Sequence, residues 1–252
     1  MTFWTALRAT YGGSIAFLIA CPLLALIPVV FELLQHMAEV HIGMYDSIAA
    51  AKAVEHHPMR IAFGMLKIAA LTVPIYWVTR FLPNRDARFA ATFDPLAARL
   101  FAAFLVFALA FQAIQLWVMP KSVLPMLATF VVGEIVTILI LPWAVAAALG
   151  NRAVGIRASS AIMARHIPWT FGLVMVAVIP LLIPHYAFAA LAITGPKMLL
   201  WPTLIVDSLL VGWMTAVMAA SGYYAAARAA AEAGVELMPV GAVASEHIAQ
   251  PA

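Results

Sequence analysis

Lys67, Glu134 and Asp207 each lie inside a stretch of apolar sequence long enough to cross a bilayer. On insertion scales a charged side chain at the centre of a spanning helix costs about 2.5–3.5 kcal/mol, so it needs a partner or a purpose. An ammonium neutralises a carboxylate, and the expected pairing is Lys67 with Glu134 or Asp207. Two chemistries fit such a pair. One is a structural ion pair that fixes helix register, and the other is a site that handles a ligand or an ion. A buried carboxylate can also hold a proton, which leaves proton coupling through Glu134 open.

Further polar groups are expected at similar depth. With a rise of about 1.5 Å per residue, Lys67 lies about 10 Å from its outer helix end, His185 about 12 Å, Asp207 about 13 Å and Glu134 about 16 Å. Gln112 and Gln115 are shallower, and Glu32 and His36 fall near the outer end of the first span. The expectation is an outward-facing polar cavity to which every span contributes a group, with the inward half of the same helices almost wholly apolar. Glu32, His36 and Glu39 share a helical face at i, i+4 and i+7, and His56 and His57 would complete a set of zinc ligands. That spacing matches no established metal signature. Ser159 and Ser160 lie near His166 but lack an oriented third group, so they read as interface residues rather than nucleophiles. No glycine-rich phosphate loop is present. The chain is expected not to be an enzyme, and no cofactor is named.

The elements that hold these residues follow from composition. Of 252 residues, 65% are hydrophobic and 10% charged, against roughly 45–50% and about 25% in soluble domains. The fold class is therefore an all-α polytopic membrane protein. Six spans of about 20 residues or more are expected, over 13–35, 60–82, 95–119, 123–149, 168–193 and 198–224. They form one domain over residues 1–230, followed by a flexible cytoplasmic tail over 231–252. Asp94-Pro95 is an N-cap with proline in the first turn, and Gly195-Pro196 breaks the chain between the last two spans. The apolar run continues past the single cysteine, Cys21, to Leu34, as in a spanning helix and not in a cleaved lipoprotein signal.

Orientation follows from basic residues in short loops. One side carries Arg8, Arg80, Arg85, Arg88, Arg99, Arg152, Arg157, Arg165 and Arg228, while the other carries Lys52, Arg60, Lys121 and Lys197. Both termini are expected in the cytoplasm of a bacterial inner membrane. Ahead of spans one, three and five, amphipathic segments are expected to lie in the interface. Arg85, Arg88, Arg99, Arg152, Arg157 and Arg165 would there meet lipid phosphate. The pattern suggests three repeated hairpin units. In the first outer loop, residues 46–55 are expected to form a short surface helix. Net charge is +3, but the basic residues sit at helix ends rather than in one patch, so nucleic acid is not an expected partner. Membrane lipid is, and a protein partner or a second copy would use the small-residue faces Ala144–Ala148 and Ala216–Gly222.

The segment Arg157-Ala158-Ser159-Ser160-Ala161-Ile162-Met163-Ala164-Arg165-His166, with the hairpin plan, resembles a group of six-helix bacterial inner-membrane proteins of unknown function. They are similar to the membrane region attached to some glycerophosphodiester phosphodiesterases. The resemblance implies an envelope or lipid-related setting and supplies no catalytic residues. The expected function is non-enzymatic binding or movement of a small polar or lipid-like ligand. The alternatives are an accessory subunit or assembly factor of a larger membrane complex and a metal-dependent membrane lipid enzyme.

Overall fold

The computed structural model describes residues 1–118 and 122–239. Lys121 and residues 240–252, most of the expected tail, lie outside the described residues. Among the described residues the fold is helical throughout. The first four helices are α1 (Phe3–Ala20), α2 (Pro22–His41), α3 (Ile48–Ala53) and α4 (Pro58–Thr72). Next come α5 (Ile75–Phe81), α6 (Ala87–Ala91), α7 (Pro95–Val118) and α8 (Val123–Leu139). The chain ends with α9 (Leu141–Ala148), α10 (Ile156–Met163), α11 (Ile167–Thr194) and α12 (Leu200–Glu232). Five runs are long and apolar enough to cross a membrane: Pro22–His41, Pro58–Phe81, Pro95–Gln115, Ile156–Thr194 and Lys197–Glu232. Val123–Leu139 and Leu141–Ala148, bent by 43° at their junction, make a sixth if counted as one span.

The first span differs from its expected bounds. Cys21 leaves helical geometry at φ −127°, ψ 52°, and Pro22 opens a new helix. The apolar run is thereby cut in two. The piece after Cys21 runs to His41, so Glu32 falls near the middle of α2 rather than at its end. The piece before it, α1, is a single helix from Phe3, with no separate interfacial helix within it. Its buried stripe is Ala6, Thr10, Gly13, Ser14 and Phe17, mostly small residues that allow close approach. α6 and α10 do form short helices ahead of α7 and α11. The apolar face of α10 meets protein instead of lipid, with Ile162 and Met163 packed among Ile138, Val145 and Ala226.

α12 is the axis of the bundle. Over its first half only one face is buried, at Thr203, Leu204, Asp207, Ser208, Val211 and Gly212. From Met214 onward it is enclosed nearly all round, as expected for a helix that is apolar on every side. A Cβ on Gly212 would lie 2.4 Å from Val29 Cγ2, so that glycine lets α2 press against α12. The small-residue faces expected to meet a partner are used inside the chain: Ala144–Ala148 and, apart from the exposed Met218, Ala216–Gly222 are buried. The first residues of the expected tail are also packed. The Asn151 amide donates to Glu236 O at 2.9 Å, and Leu237 is buried.

Two polar residues seal helix breaks. Ser159 is fully buried, accepts from Trp143 N at 3.1 Å and donates to Leu139 O at 2.7 Å. It thus satisfies backbone groups freed where α8 gives way to α9, and it is no interface residue. At the end of α5, Arg80 is 2% exposed. Its guanidinium donates to Phe89 O at 3.1 Å and Ala148 O at 3.2 Å and lies over the Phe89 ring. Those carbonyls belong to the last turns of α6 and α9, where no helical donor remains.

Candidate functional site

The polar groups converge where α2, α4, α11 and α12 meet, toward the end of the bundle opposite Arg80. α2 and α4 pack side by side, which sets residue 32 against residue 67. Lys67 Nζ lies 3.0 Å from Glu32 Oε1 and 2.9 Å from Oε2. The partner of Lys67 is therefore Glu32, not Glu134 or Asp207. Glu32 sits one turn before His36, and His36 Nε2 stands 3.5 Å from Glu32 Oε1 and 3.2 Å from Asp207 Oδ2. The other oxygen of Asp207 is 2.8 Å from His185 Nδ1. Glu32 and Asp207 are each 1% exposed.

The second nitrogen of His36 faces a different set. Nδ1 is 2.9 Å from the Tyr45 hydroxyl and 3.4 Å from Glu39 Oε2. Tyr45 itself donates to Glu39 Oε2 at 2.6 Å. Glu39 Oε1 accepts from Gln35 Nε2 at 3.0 Å and from Arg60 Nε at 3.2 Å. Burial, with the carboxylates of Glu39, Glu32 and Asp207 close by, pushes the Tyr45 phenol far above its ordinary range, so it remains a donor.

Tyr45 reaches the centre through the cap of α2. Gly43 N bonds Val40 O, Met44 N bonds Glu39 O, and Gly43 adopts φ 77°. This is a Schellman cap, for which a left-handed glycine is suited. It turns the chain back so that the next residue but one points inward. Lys197 then ties the loop down by donating to Tyr45 O, with Asp46 Oδ1 3.6 Å away. Ser47 caps α3, the expected surface helix, by accepting from Ala50 N at 3.1 Å.

The hydroxyl proton of Tyr45 is committed to Glu39. Its oxygen can then only accept from His36, so Nδ1 must carry a proton. A neutral ring would leave Nε2 as a bare lone pair facing two carboxylate oxygens. Charge counting gives the same answer. Three acids, Glu32, Glu39 and Asp207, face two basic side chains, Lys67 and Arg60. One negative charge is left over when both histidines are neutral, and an uncompensated buried charge is costly. His185 is satisfied as a neutral donor to Asp207, whereas His36 is not.

The remaining expected residues lie elsewhere. Glu134 is half-buried on α8, with no ion-pair partner among the described residues. Gln115 lies over Gly133, and Gln112 is exposed. His56 and His57 are exposed between α3 and α4, and the His57 ring accepts from Met59 N at the start of α4. Of the expected metal set, only Glu32 and His36 share a potential metal position, and the third member is Asp207. Arg85, Arg88, Arg99, Arg152, Arg157 and Arg165 are all exposed. Two open pockets, lined in part by Tyr223, Ala227 and Ala231, lie at the far end of α12. The acid–histidine centre is a set of side chains in direct contact and not the wall of either pocket.

No protein-family model, no curated protein and no solved structure matches this chain.

Proposed function

We propose that the chain is a non-enzymatic membrane protein that binds one small cation, such as a proton, at the centre formed by Glu32, His36 and Asp207. The observation behind this reading is the position of His36 Nε2, 3.2 Å and 3.5 Å from two buried carboxylates, while Nδ1 is engaged by Tyr45. A cation there completes the hydrogen bonding and brings the net charge of the cluster to zero. The reading narrows the expected small polar ligand to a cation. Lys67 and Arg60, with side chains 21% and 31% exposed, and His185, at 17%, form the open rim. The distribution of arginines supports a bacterial inner membrane with this rim away from the cytoplasm and with six spans. Exposed Arg85, Arg88 and Arg152 at the other end suit anionic lipid headgroups.

The test uses linkage between cation binding and folding. A cation bound only by the folded state stabilises it. Where that cation is a proton, the native chain holds more protons than the unfolded one, and stability falls as pH rises. Thermal unfolding in lipid nanodiscs, without added metal, is expected to show this fall as pH rises above about 6.5, the ordinary imidazole value. Asp207→Asn makes the centre neutral without a bound cation, and that component is expected to vanish. The same pH slope in a folded Asp207→Asn protein would make the cluster a purely structural ion-pair network.

A further inference from the structure

We infer that the position between Glu32, His36 and Asp207 is a divalent transition-metal site of the zinc or manganese class, an inference that rests on the cation-binding reading above. One ligand atom from each of the three residues lies within 4.8 Å of the other two, and all three side chains are buried. His36 Nε2 stands 3.5 Å from Glu32 Oε1 and 3.2 Å from Asp207 Oδ2. Ligands bound at about 2.0–2.1 Å in a tetrahedral site stand about 3.3 Å apart. Two of the three separations already match that spacing, and the third, between the two carboxylates, lies within 4.8 Å.

The surrounding groups have the arrangement that metal ligands require. A ligating histidine donates its other N–H to a carboxylate or similar acceptor, which fixes the tautomer and turns the lone pair to the metal. His36 Nδ1 meets Tyr45 and Glu39 in this way at 2.9 Å and 3.4 Å. Ligating carboxylates are in turn held by hydrogen bonds. Asp207 Oδ1 is held by His185 at 2.8 Å, which leaves Oδ2 on the His36 side. Glu32 is anchored by Lys67, and although the ammonium lies 2.9 Å from Glu32 Oε2, that buried oxygen has no well-formed hydrogen bond. Neither a helical spacing nor an acidic cluster alone would give this order of ligand, orienting group and rim.

The donor set selects the ion. One imidazole and two carboxylates without thiolate favour zinc, manganese or iron over copper(I). Three protein ligands leave an open position, as in catalytic and transport sites rather than closed structural ones. A divalent ion takes the cluster from one net negative charge to one net positive charge, so an anionic fourth ligand such as hydroxide suits it. The ion competes with the proton for Nε2, and its affinity is expected to fall as pH falls.

Cobalt(II) is the probe, because its visible absorption reports nitrogen and oxygen ligation directly. Purified full-length protein in detergent is stripped with chelator and titrated with cobalt(II). One equivalent per chain is expected, with displacement by zinc(II). Asp207→Asn and Glu32→Gln are each expected to weaken binding at least tenfold, with Glu134→Gln and the His56→Ala/His57→Ala double variant unchanged. If His36→Gln fails to fold, the two carboxylate variants decide the outcome, each checked by thermal unfolding. Undiminished binding in both carboxylate variants, or loss in the His56→Ala/His57→Ala protein, would overturn the assignment. Failure of the wild type to bind any metal while its pH-linked stability persists overturns the metal site alone. Failure of both overturns the cation-binding reading with it.

Discussion

Arg80→Ala is expected to be among the most destabilising single changes in the chain, at about 3–5 kcal/mol, the range for removing one partner from a buried charged network. The reason is local. The C-terminal turns of α6 and α9 leave carbonyls without helical donors, and one guanidinium serves Phe89 O, Ala148 O and, at 3.4 Å, Thr92 O. Its positive charge also suits two helix C-termini. Asp94 Oδ2, 3.8 Å away, supplies only a loose counter-charge. Arg80→Lys keeps the charge but has no planar fork to reach both helices, and is expected to recover less than half of the loss. Chemical or thermal unfolding in detergent measures both. A change below about 1 kcal/mol for Arg80→Ala would mean that those carbonyls find other donors.

Lys67→Met is expected to cost about 3 kcal/mol or more, because it strands Glu32 as a buried carboxylate. Glu32→Gln in the same protein removes the stranded charge. The double variant Lys67→Met/Glu32→Gln is expected to be more stable than Lys67→Met alone. The coupling energy from the full cycle is expected near the upper end of the 0.5–3 kcal/mol seen for contacting residues. Lys67→Met/Glu134→Gln is expected to show simple additivity, because Glu134 lies apart from the ion pair. Coupling to Glu134 instead of Glu32 would contradict the observed pairing.

These two residues mark what was legible in the sequence and what was not. The apolar runs announced spanning helices, and the intramembrane charges announced a polar centre in one half of the bundle. Lys67, Asp207, His185, Glu32 and His36 do meet there. The sequence misleads on the pairing because its continuous apolar run sets the first span too far toward the N-terminus. Its apolar run is continuous, and only the proline after Cys21 signals that one helix ends and another begins. With the span shifted toward the C-terminus, Glu32 moves from the end of its helix to the level of Lys67. Depth alone sets Glu134 beside Lys67 in the sequence. Helix rotation is not visible in an almost uniformly apolar helix, since no polar face fixes which way it turns.

Tyr45 and Arg80 had weaker signals. Tyr45 lies in a loop, and its inward turn depends on the left-handed Gly43 cap, which marks a reversal without saying what it delivers. Arg80 looked like any basic residue at a cytoplasmic helix end. Its burial depends on the ends of α6 and α9 coming together, a long-range event that local sequence does not encode. Ser159 looks like an interface residue in the sequence for the same reason, because its partners lie across the break between α8 and α9.

The central claim is that a cation occupies the Nε2 side of His36. Nitrogen-15 NMR of histidine-labelled protein in nanodiscs reads this directly, with the His36 signals assigned by their loss in His36→Gln. Carbon-13 labelling of the Asp and Glu carboxyl groups supplies the acid state in the same sample. The expected result near neutral pH is a protonated Nδ1, with Nε2 bonded to a metal or to a proton held on the ring or shared with Asp207 or Glu32. A bare Nε2 beside fully ionised Glu32 and Asp207 would contradict it.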